Sequence, residues 1–368
     1  MKIKIKSTTA FFWINFICWL TVSTLSVQLK AQEIDMVKKG LGAGVNISLL
    51  EQYWNSPNTL YQTNINTQLK QIARQGFATV RLPVNFEMFL QPQSSNLQPQ
   101  LLEKLNEIYS VCTAKKLNLI ISYFYGQLNE NNYNNEIDRI SWMWKQIQRN
   151  FFGKGYNNLF FEIYNEPTIS NDKWKETITT LVQYLRYEDA NRIYIIGGTN
   201  YNNLDQLKEL GKIADDKIFY TFHFYEPFIF THQGANWTNN KSYLTELPFP
   251  YQKNKMPKLN NAIKNTSMER DYNKYPYEAT EAYLNERVRN IANFCRKNNM
   301  PLICTETGVI NTAPKQSRKK YFSTITLAML ANNIPCDLWD YDDKFSIKKN
   351  KTKLISSVKS WVKKSKQQ

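Results

Sequence analysis

The strongest constraint on the fold is a regular alternation of short apolar runs with longer amphipathic segments. Runs of about 5–8 residues rich in β-branched and aromatic side chains are typical of strands buried on both faces. The segments of about 10–20 residues between them have the apolar spacing of helices, which predicts βαβ units and a parallel sheet. Eight such runs occur, at residues 42–48, 77–84, 117–125, 159–164, 192–198, 218–225, 301–307 and 336–342.

Eight strands joined by helices predict an α/β fold of the (β/α)8 TIM-barrel type. A single barrel accommodates a chain of 368 residues, so we expect one domain over residues 32–368. A doubly wound sheet is the alternative, but Gly40, Gly42 and Gly44 do not have the spacing of a dinucleotide-binding turn. Helical patterns cover residues 67–76, 99–116, 136–152, 172–189, 281–299 and 318–333.

The first 31 residues have the pattern of a secretory signal peptide. Three lysines precede the apolar stretch 10–27, and Ala31 provides a small residue for cleavage before Gln32. We therefore predict a secreted or periplasmic protein with no stable membrane insertion after cleavage. An uncleaved anchor is the alternative, because the apolar stretch approaches the length of a membrane span.

The charge of the chain does not indicate a nucleic-acid partner. The formal net charge is +16, and it falls to +12 once the four lysines of residues 1–31 are removed. The remaining basic residues are scattered, apart from a cluster at 359–366, and no nucleic-acid motif accompanies them. Solvated surface charge is the favoured interpretation, with adsorption to acidic polymers or envelope surfaces as the alternative. We also expect a monomer.

Cysteine and histidine usage favours chemistry without a metal or cofactor. The chain has only two His, and no Cys/His spacing of the zinc type is present. The four cysteines after residue 31 allow three disulfide pairings in an exported protein, but two of them lie in strand-like runs, where buried thiols are common. The four are Cys112, Cys295, Cys304 and Cys336.

One long segment, residues 226–278, lacks a helical or strand pattern. A segment of this length in a compact domain is usually functional or disordered. It follows the sixth predicted strand, so it would overhang the catalytic face of a barrel. Its aromatic content, including Trp237, suits a binding wall.

Polar and aromatic side chains stand at the carboxyl end of nearly every predicted strand. These ends of a TIM barrel carry the active site, so we expect the side chains to converge. The candidates are Asn46, Arg81, Tyr123, Tyr125, Asn165, Glu166, His223, Tyr225, Glu306 and Trp339.

Two facing carboxylates, Glu166 and Glu306, are what glycosidic-bond cleavage requires. One must be protonated to donate a proton to the leaving oxygen, and the other must stay ionised to attack the anomeric carbon. A carboxyl separation of about 5 Å gives retention, and about 6.5–9.5 Å gives inversion. The sequence alone leaves that choice open.

The motifs that carry these residues resemble those of glycoside hydrolase family 5, the cellulase-like retaining enzymes. "LFFEIYNEPT" resembles the strand-four motif, and "ICTETGV" resembles the strand-seven motif. The resemblance implies Glu166 as the acid/base, Glu306 as the nucleophile and Asn165 as a donor to the sugar 2-hydroxyl. Three further motifs, "VRLPV", "FHFYEPF" and "DLWDYDD", supply Arg81, the pair His223 and Tyr225, and the stacking residue Trp339.

The resemblance implies a retaining endo-β-glycanase that acts on a β-linked polysaccharide or oligosaccharide, most simply a β-1,4-glucanase. A mannanase or xyloglucanase, and a noncatalytic glycan-binding barrel, are the alternatives. The chain departs from the family where strand three usually ends in His: "LIISYFYG" offers Tyr123 or Tyr125 instead. Arg81 has a structural alternative as well, an ion pair with Glu87 or Glu162.

Overall fold

The chain forms a closed barrel of eight parallel strands in the order β1 to β8, which confirms the predicted architecture. The computed structural model describes Asp35, Lys38, residues 40–48, Tyr61 and residues 64–238, 243–350 and 352–367. The proposed signal segment lies outside these residues. The strands are β1 (Ala43–Asn46), β2 (Thr79–Val84), β3 (Asn118–Tyr123), β4 (Leu159–Glu162), β5 (Tyr194–Gly197), β6 (Ile218–Phe224), β7 (Leu302–Thr307) and β8 (Cys336–Leu338).

Helices follow the strands and cover the outside of the barrel. All six predicted helical patterns are helices in the structure, and a seven-residue helix after β5, too short to give a periodic pattern, was not predicted. The helices are α1 (Asn66–Gln75), α2 (Pro99–Ala114), α3 (Tyr133–Asn150), α4 (Asn171–Glu188), α5 (Leu204–Leu210), α6 (Phe228–Thr231), α7 (Ser267–Glu278), α8 (Glu281–Lys297), α9 (Lys315–Ala331) and α10 (Ser356–Ser365).

Local sequence explains several helix boundaries. Helix α1 ends at Gly76, whose φ of 99° is accessible to glycine because it lacks a Cβ. Helix α2 begins with Pro99, which has no N–H to leave unpaired in the first turn. The side chains of Asn203 and Thr280 accept backbone N–H groups at the starts of α5 and α8.

The barrel interior contains a small apolar cluster that is separate from the main core. Side chains along a strand alternate between the two faces of the sheet. Where the adjacent residues of a strand pack in the main core, the residue between them therefore points to the barrel axis. The main core lies between the strands and the helices. The inner cluster is Leu41, Ile120, Phe160, Ile193, Ile195, Phe219 and Ile303.

Polar side chains fill the rest of the barrel interior. Thr79, Arg81, Glu162 and Asp337 are fully buried. The carboxyl oxygens of Asp337 have no hydrogen-bond partner among the described residues, and burial raises the pKa of this group well above its ordinary value. The barrel interior thus contains both an apolar cluster and buried polar side chains, and Arg81 and Glu162 among these belong to the site at the barrel mouth.

The long segment after β6 is less irregular than the sequence indicated. Apart from residues 239–242, which lie outside the described part, it contains α6, two 3-10 turns and α7. Helix α7 has Pro276 in its interior and few apolar residues, so its sequence does not show a helical pattern. It is nevertheless anchored by the buried side chains of Met268 and Tyr275.

The cysteines in the described part of the chain are all buried free thiols. Cys304 and Cys336 lie opposite each other on β7 and β8, inside apolar strands as the sequence suggested. Within the described residues, no helix combines the length and apolar character needed to cross a bilayer.

Substituting Gly44 with alanine should weaken the barrel. A Cβ at Gly44 would overlap the Asp337 carboxyl and lie 2.9 Å from the Thr79 Cβ. We expect Gly44→Ala to lower the free energy of unfolding by about 1–3 kcal/mol, as overpacking of a core does. Gly40→Ala is the matched control, because a Cβ there meets nothing within 4 Å. Equal denaturant midpoints for the two variants would contradict this interpretation.

Candidate active site

The predicted site residues converge at the carboxyl end of the barrel. Arg81 comes from β2, His223 from the end of β6 and Glu306 from the end of β7. Asn165 and Glu166 follow β4 in the next turn of chain. Parallel strands of a barrel end at one rim, so residues far apart in sequence become neighbours there.

Arg81 is at the centre of the site. It contacts Glu306, as the family resemblance implies, and it also forms the alternative ion pair with Glu162. Its Nε and Nη2 atoms donate to the two carboxylate oxygens of Glu162, at 2.6 and 2.9 Å. Its Nη1 atom donates to Glu306 Oε1 at 2.6 Å. A fully buried guanidinium thus has two carboxylate partners, and its planar fork fixes the position of Glu306.

Two asparagines also accept hydrogen bonds from Arg81. Nη1 also donates to Asn46 Oδ1 at 2.8 Å, and Nη2 donates to Asn165 Oδ1 at 2.7 Å. The Asn46 amide then donates to the Thr305 carbonyl at 2.9 Å, so Asn46 orients Arg81 and is buried away from the cleft. Asn165 uses its oxygen on Arg81, which leaves its NH2 group as the donor suited to a sugar hydroxyl.

Glu306 is a buried carboxyl group held by three side chains. Arg81 contacts one oxygen, and the other accepts the Tyr225 hydroxyl at 3.0 Å and lies 3.5 Å from His223 Nδ1. Burial raises the pKa of Glu306, while His223 and Arg81 act in the opposite direction. The same burial, with the adjacent Glu306, raises the pKa of Tyr225 well above its ordinary value.

Glu166 is placed differently from Glu306. Its backbone has a left-handed φ of 52°, which is uncommon for a residue other than glycine and recurs at functional sites. Its side chain is 30% exposed, whereas that of Glu306 is 5% exposed. One carboxylate is therefore open to solvent and the other is enclosed, the division needed for an acid/base and a nucleophile.

His223 lies between the two glutamates. Its Nδ1 atom is 2.8 Å from Glu166 Oε1, and its Nε2 atom is 3.1 Å from the Asn202 side-chain amide. Burial lowers the pKa of His223, but the carboxylates of Glu306 and Glu166 outweigh this and raise it.

The sequence spacing indicated no metal site, yet three possible ligands meet here. Single ligand atoms of Glu166, His223 and Glu306 lie within 4.8 Å of one another. His223 Nδ1 lies 2.8 Å from Glu166 Oε1 and 3.5 Å from Glu306 Oε2, so the imidazole ring already contacts both carboxyl groups. The arrangement therefore suits proton transfer and nucleophilic attack without requiring an ion.

Aromatic side chains form one wall of the site. Trp339 stacks on Phe124 with ring centroids 5.8 Å apart and planes 6° apart, and the Arg81 guanidinium lies 5.9 Å from the Phe124 centroid. Tyr123 is fully buried and donates its hydroxyl to Glu87, so it cannot contact a sugar. Tyr125 is 49% exposed beside Phe124. Phe124, which the sequence analysis did not select, therefore takes the place expected for Tyr123.

A second aromatic wall begins at Tyr225. His232 lies against the Tyr225 ring at 4.9 Å and against Phe345 at 5.0 Å. Trp237 continues this wall at 6.4 Å from Phe345, is 49% exposed and has Lys344 Nζ 4.3 Å from its ring centroid. The long segment after β6 thus contributes aromatic surface near Glu306.

The family profile described as "Cellulase (glycosyl hydrolase family 5)" matches residues 39–345. This range includes the whole barrel and every site residue named above. The chain belongs to glycoside hydrolase family 5.

Curated relatives of this family 5 chain include two bacterial endoglucanases. Endoglucanase 3 of Fibrobacter succinogenes is 26% identical over 321 residues, which are 79% of this chain and 48% of that protein. The chain thus spans about half the length of this relative. Endoglucanase C of Acetivibrio thermocellus is 27% identical over 315 residues, which are 81% of this chain and 90% of that protein.

Solved structures agree on the fold of the family 5 barrel. The endoglucanase Cel5A of Thermotoga maritima superposes with a TM-score of 0.74 at 20% identity, over 89% of this chain and 99% of that chain. Another structure of the same protein, in complex with a mannotriose substrate, gives a TM-score of 0.71. At this identity the likeness shows the architecture alone.

Several supporting residues of this family 5 site were not evident from the sequence. Glu162 was considered only as an alternative partner of Arg81, and Phe124, Phe345 and Asn202 were not selected. Glu162 could have been found, because an acid inside a buried strand needs a partner. Asn202 could not, since its contact with His223 depends on the chain turning back over β5.

The pH dependence of stability should differ between the wild type and Glu306→Gln. A pKa raised on folding means that Glu306 contributes stability below its ordinary pKa of 4.5 and loses it as the pH rises through the folded-state pKa. We therefore expect the thermal midpoint of Glu306→Gln to equal or exceed that of the wild type at pH 7, with the gap narrowing below pH 4.5.

Glu162→Gln is the contrasting variant in the same thermal unfolding series. It removes the bidentate partner of buried Arg81, so it should lower stability by about 3–5 kcal/mol. If Glu306→Gln is destabilised as strongly at pH 7, Glu306 is a structural partner of Arg81 and the pH argument fails.

Proposed function

We propose that this family 5 glycoside hydrolase is a retaining endo-β-glucanase that cleaves β-1,4-glucan by double displacement. The observation that carries the proposal is the proximity of the two glutamates. Carboxylate oxygens of Glu166 and Glu306 lie within 4.8 Å of each other, together with His223. Such a separation supports direct attack by a carboxylate, because an inverting site needs room for a water between the groups.

Glu306 has the features of the nucleophile. Arg81 and Tyr225 donate to separate oxygens of its carboxylate, and this fixes the group for attack on the anomeric carbon. The bond formed is Glu306 oxygen to anomeric carbon, and the bond broken is anomeric carbon to glycosidic oxygen. Arg81 and its second partner Glu162 hold the geometry without touching the sugar.

Glu166 has the features of the acid/base. Its exposed side chain stands where a leaving group departs and a water arrives, and His223 holds one of its oxygens. In the first step Glu166 donates its proton to the glycosidic oxygen. In the second step it removes a proton from water, which releases the sugar from Glu306.

The choice of glucan rests on the relatives and the aromatic walls. The relatives described above are named endoglucanases, and the half-exposed Trp237 offers a ring face to a pyranose sugar. Trp339 is only 8% exposed and stacks on Phe124, so it presents an edge of the aromatic wall. A mannan is the second candidate, because the related Cel5A has been captured with mannotriose. A noncatalytic glycan-binding barrel is disfavoured, since binding alone does not need two glutamates bridged by His223.

Hydrolysis of a polymer panel tests the proposal. We expect residues 32–368 to release reducing sugar from carboxymethylcellulose and mixed-linkage glucan more rapidly than from glucomannan or xyloglucan. An early fall in viscosity would show internal cleavage, and proton NMR of the first-formed anomer would show retention. Folded protein that releases sugar from none of these polymers, or an inverted anomer, would contradict the proposal.

Substitution of each glutamate separates the two roles. Glu306→Gln should abolish turnover of every substrate, because the covalent step is lost. Glu166→Gln should lower polymer hydrolysis by about 10²–10⁴-fold. It should still cleave an aryl glycoside with an activated phenol, because that leaving group departs without receiving a proton. Glu176→Gln, the same substitution at an exposed glutamate of α4, is the matched control and should leave both activities unchanged. Polymer hydrolysis near the wild-type rate by either of the first two variants would overturn the assignment.

Export is a further part of the proposal. The basic and apolar pattern of residues 1–31 supports a cleaved signal, and an extracellular or periplasmic monomer suits a polymer substrate too large to enter the cell. We expect the secreted fraction to contain protein that begins at Gln32, as read by N-terminal sequencing. Intact protein retained in the membrane fraction would favour an uncleaved anchor.

A further inference from the structure

Asn202 lies directly behind His223, on the side of the ring away from the glutamates. Its side-chain amide is 3.1 Å from His223 Nε2, and the whole residue is buried. Its carbonyl oxygen Oδ1 has no hydrogen-bond partner among the described residues. Asn202 therefore reaches the catalytic centre through His223 and has no direct contact with either carboxylate.

The backbone that presents Asn202 is strained. Asn200, Tyr201 and Asn202 have consecutive left-handed φ values of 50°, 63° and 53°. Each such residue costs about 1–2 kcal/mol relative to the right-handed conformation, so a run of three requires compensation. Strained backbone of this kind is found most often at functional sites, where the surrounding structure holds it in place.

Gly197 provides the space for this arrangement. A Cβ at Gly197 would overlap the Asn202 amide, and the Asn202 nitrogen would be 3.1 Å away. The last residue of β5 is thus a glycine where the amide passes closely over the strand. The strained turn and the missing side chain together fix the amide against the imidazole ring.

The contact determines where His223 carries its proton. An amide N–H donates, so the Nε2 atom it faces must offer a lone pair. In a neutral ring the proton then resides on Nδ1, which faces Glu166 Oε1 at 2.8 Å and Glu306 Oε2 at 3.5 Å. The opposite tautomer would direct a lone pair at two carboxylates.

We propose that Asn202 is a positioning residue that holds neutral His223 in the Nδ1–H tautomer, so that its one ring proton is shared by the acid/base and the nucleophile. The proposal rests on the proposed function only for its catalytic consequence. The tautomer itself is a property of the folded protein and can be measured without any substrate.

Charge explains why the neutral form is useful. The groups that face His223 are Glu166 after β4, Glu306 on β7, Arg81 on β2 and the uncharged Tyr225 after β6. An imidazolium here would favour the ionised forms of both glutamates and so deplete the protonated acid. It would also need an acceptor at Nε2, which the amide could offer only after turning its oxygen towards the ring.

Nitrogen NMR of the imidazole rings tests the tautomer directly. The chain has only two histidines, so a His232→Gln variant assigns the remaining ring as His223. Above the pH at which His223 loses its charge, we expect a protonated-type shift for Nδ1 and a lone-pair-type shift for Nε2. The reverse pattern, or equal populations of the two tautomers, would overturn the proposal.

Asn202→Gly removes the amide and keeps the backbone, since glycine adopts a left-handed φ freely. We expect mixed tautomers of His223 and a fall in kcat of about 3–10-fold, the value of one lost hydrogen bond, with a smaller change in KM. Asn200→Gly is the matched control: the same substitution at an exposed left-handed residue of the same turn should leave the tautomer and kcat unchanged. Equal effects of the two variants would show that the turn acts through its backbone conformation, and this would contradict the proposed role of the Asn202 amide.

Asn202→Asp reverses the electrostatics at nearly constant shape. A carboxylate facing Nε2 favours the imidazolium, so the titration midpoint of His223 should rise and the alkaline limb of kcat should move to lower pH. An unchanged midpoint would contradict the proposed contact. These titrations decide the inference even if no polymer is hydrolysed, whereas hydrolysis with the wrong tautomer would overturn the inference and leave the proposed function standing.

Discussion

The buried guanidinium of Arg81 is the interaction on which the rest of the site depends. It joins Glu162 on β4 to Glu306 on β7, and its remaining donors hold Asn46 and Asn165. A buried charge is stable only when it is paired, so Arg81 depends on its two carboxylate partners. The buried carboxylates depend on Arg81 in the same way. The ion pairs of Arg81 therefore set the relative position of three strands and the orientation of Glu306 at once.

The two glutamates then differ because of their surroundings. Glu306 is enclosed and held by Arg81 and Tyr225, whereas Glu166 stands on a left-handed residue with its side chain partly in solvent. His223 joins them, and its own proton is governed by Asn202 from behind. The site is thus a chain of hydrogen-bonded groups in which each group orients the next, and Asn202, in the strained 200–202 turn, is its last member.

The sequence predicted the main parts of this arrangement because each leaves a local pattern. Eight apolar runs indicated eight strands, and acids placed at strand ends indicated Glu166 and Glu306. Helix α7, in the long segment after β6, was predicted to be irregular because Pro276 lies in its interior and interrupts the helical pattern. Tyr123 was selected by its position at the end of β3, but the side chains alternate, and the ring that stacks on Trp339 belongs to Phe124.

The sequence by itself determined the class of fold, the family motifs and the two glutamates that meet at the barrel rim, because periodicity and strand ends are properties of contiguous residues. Only the tertiary structure decided that Glu162 and Glu306 share Arg81, that Tyr123 is buried, and that Asn202 faces His223. These are contacts between strands far apart in the chain, and their geometry follows from closure of the barrel and from backbone angles that no residue type specifies alone.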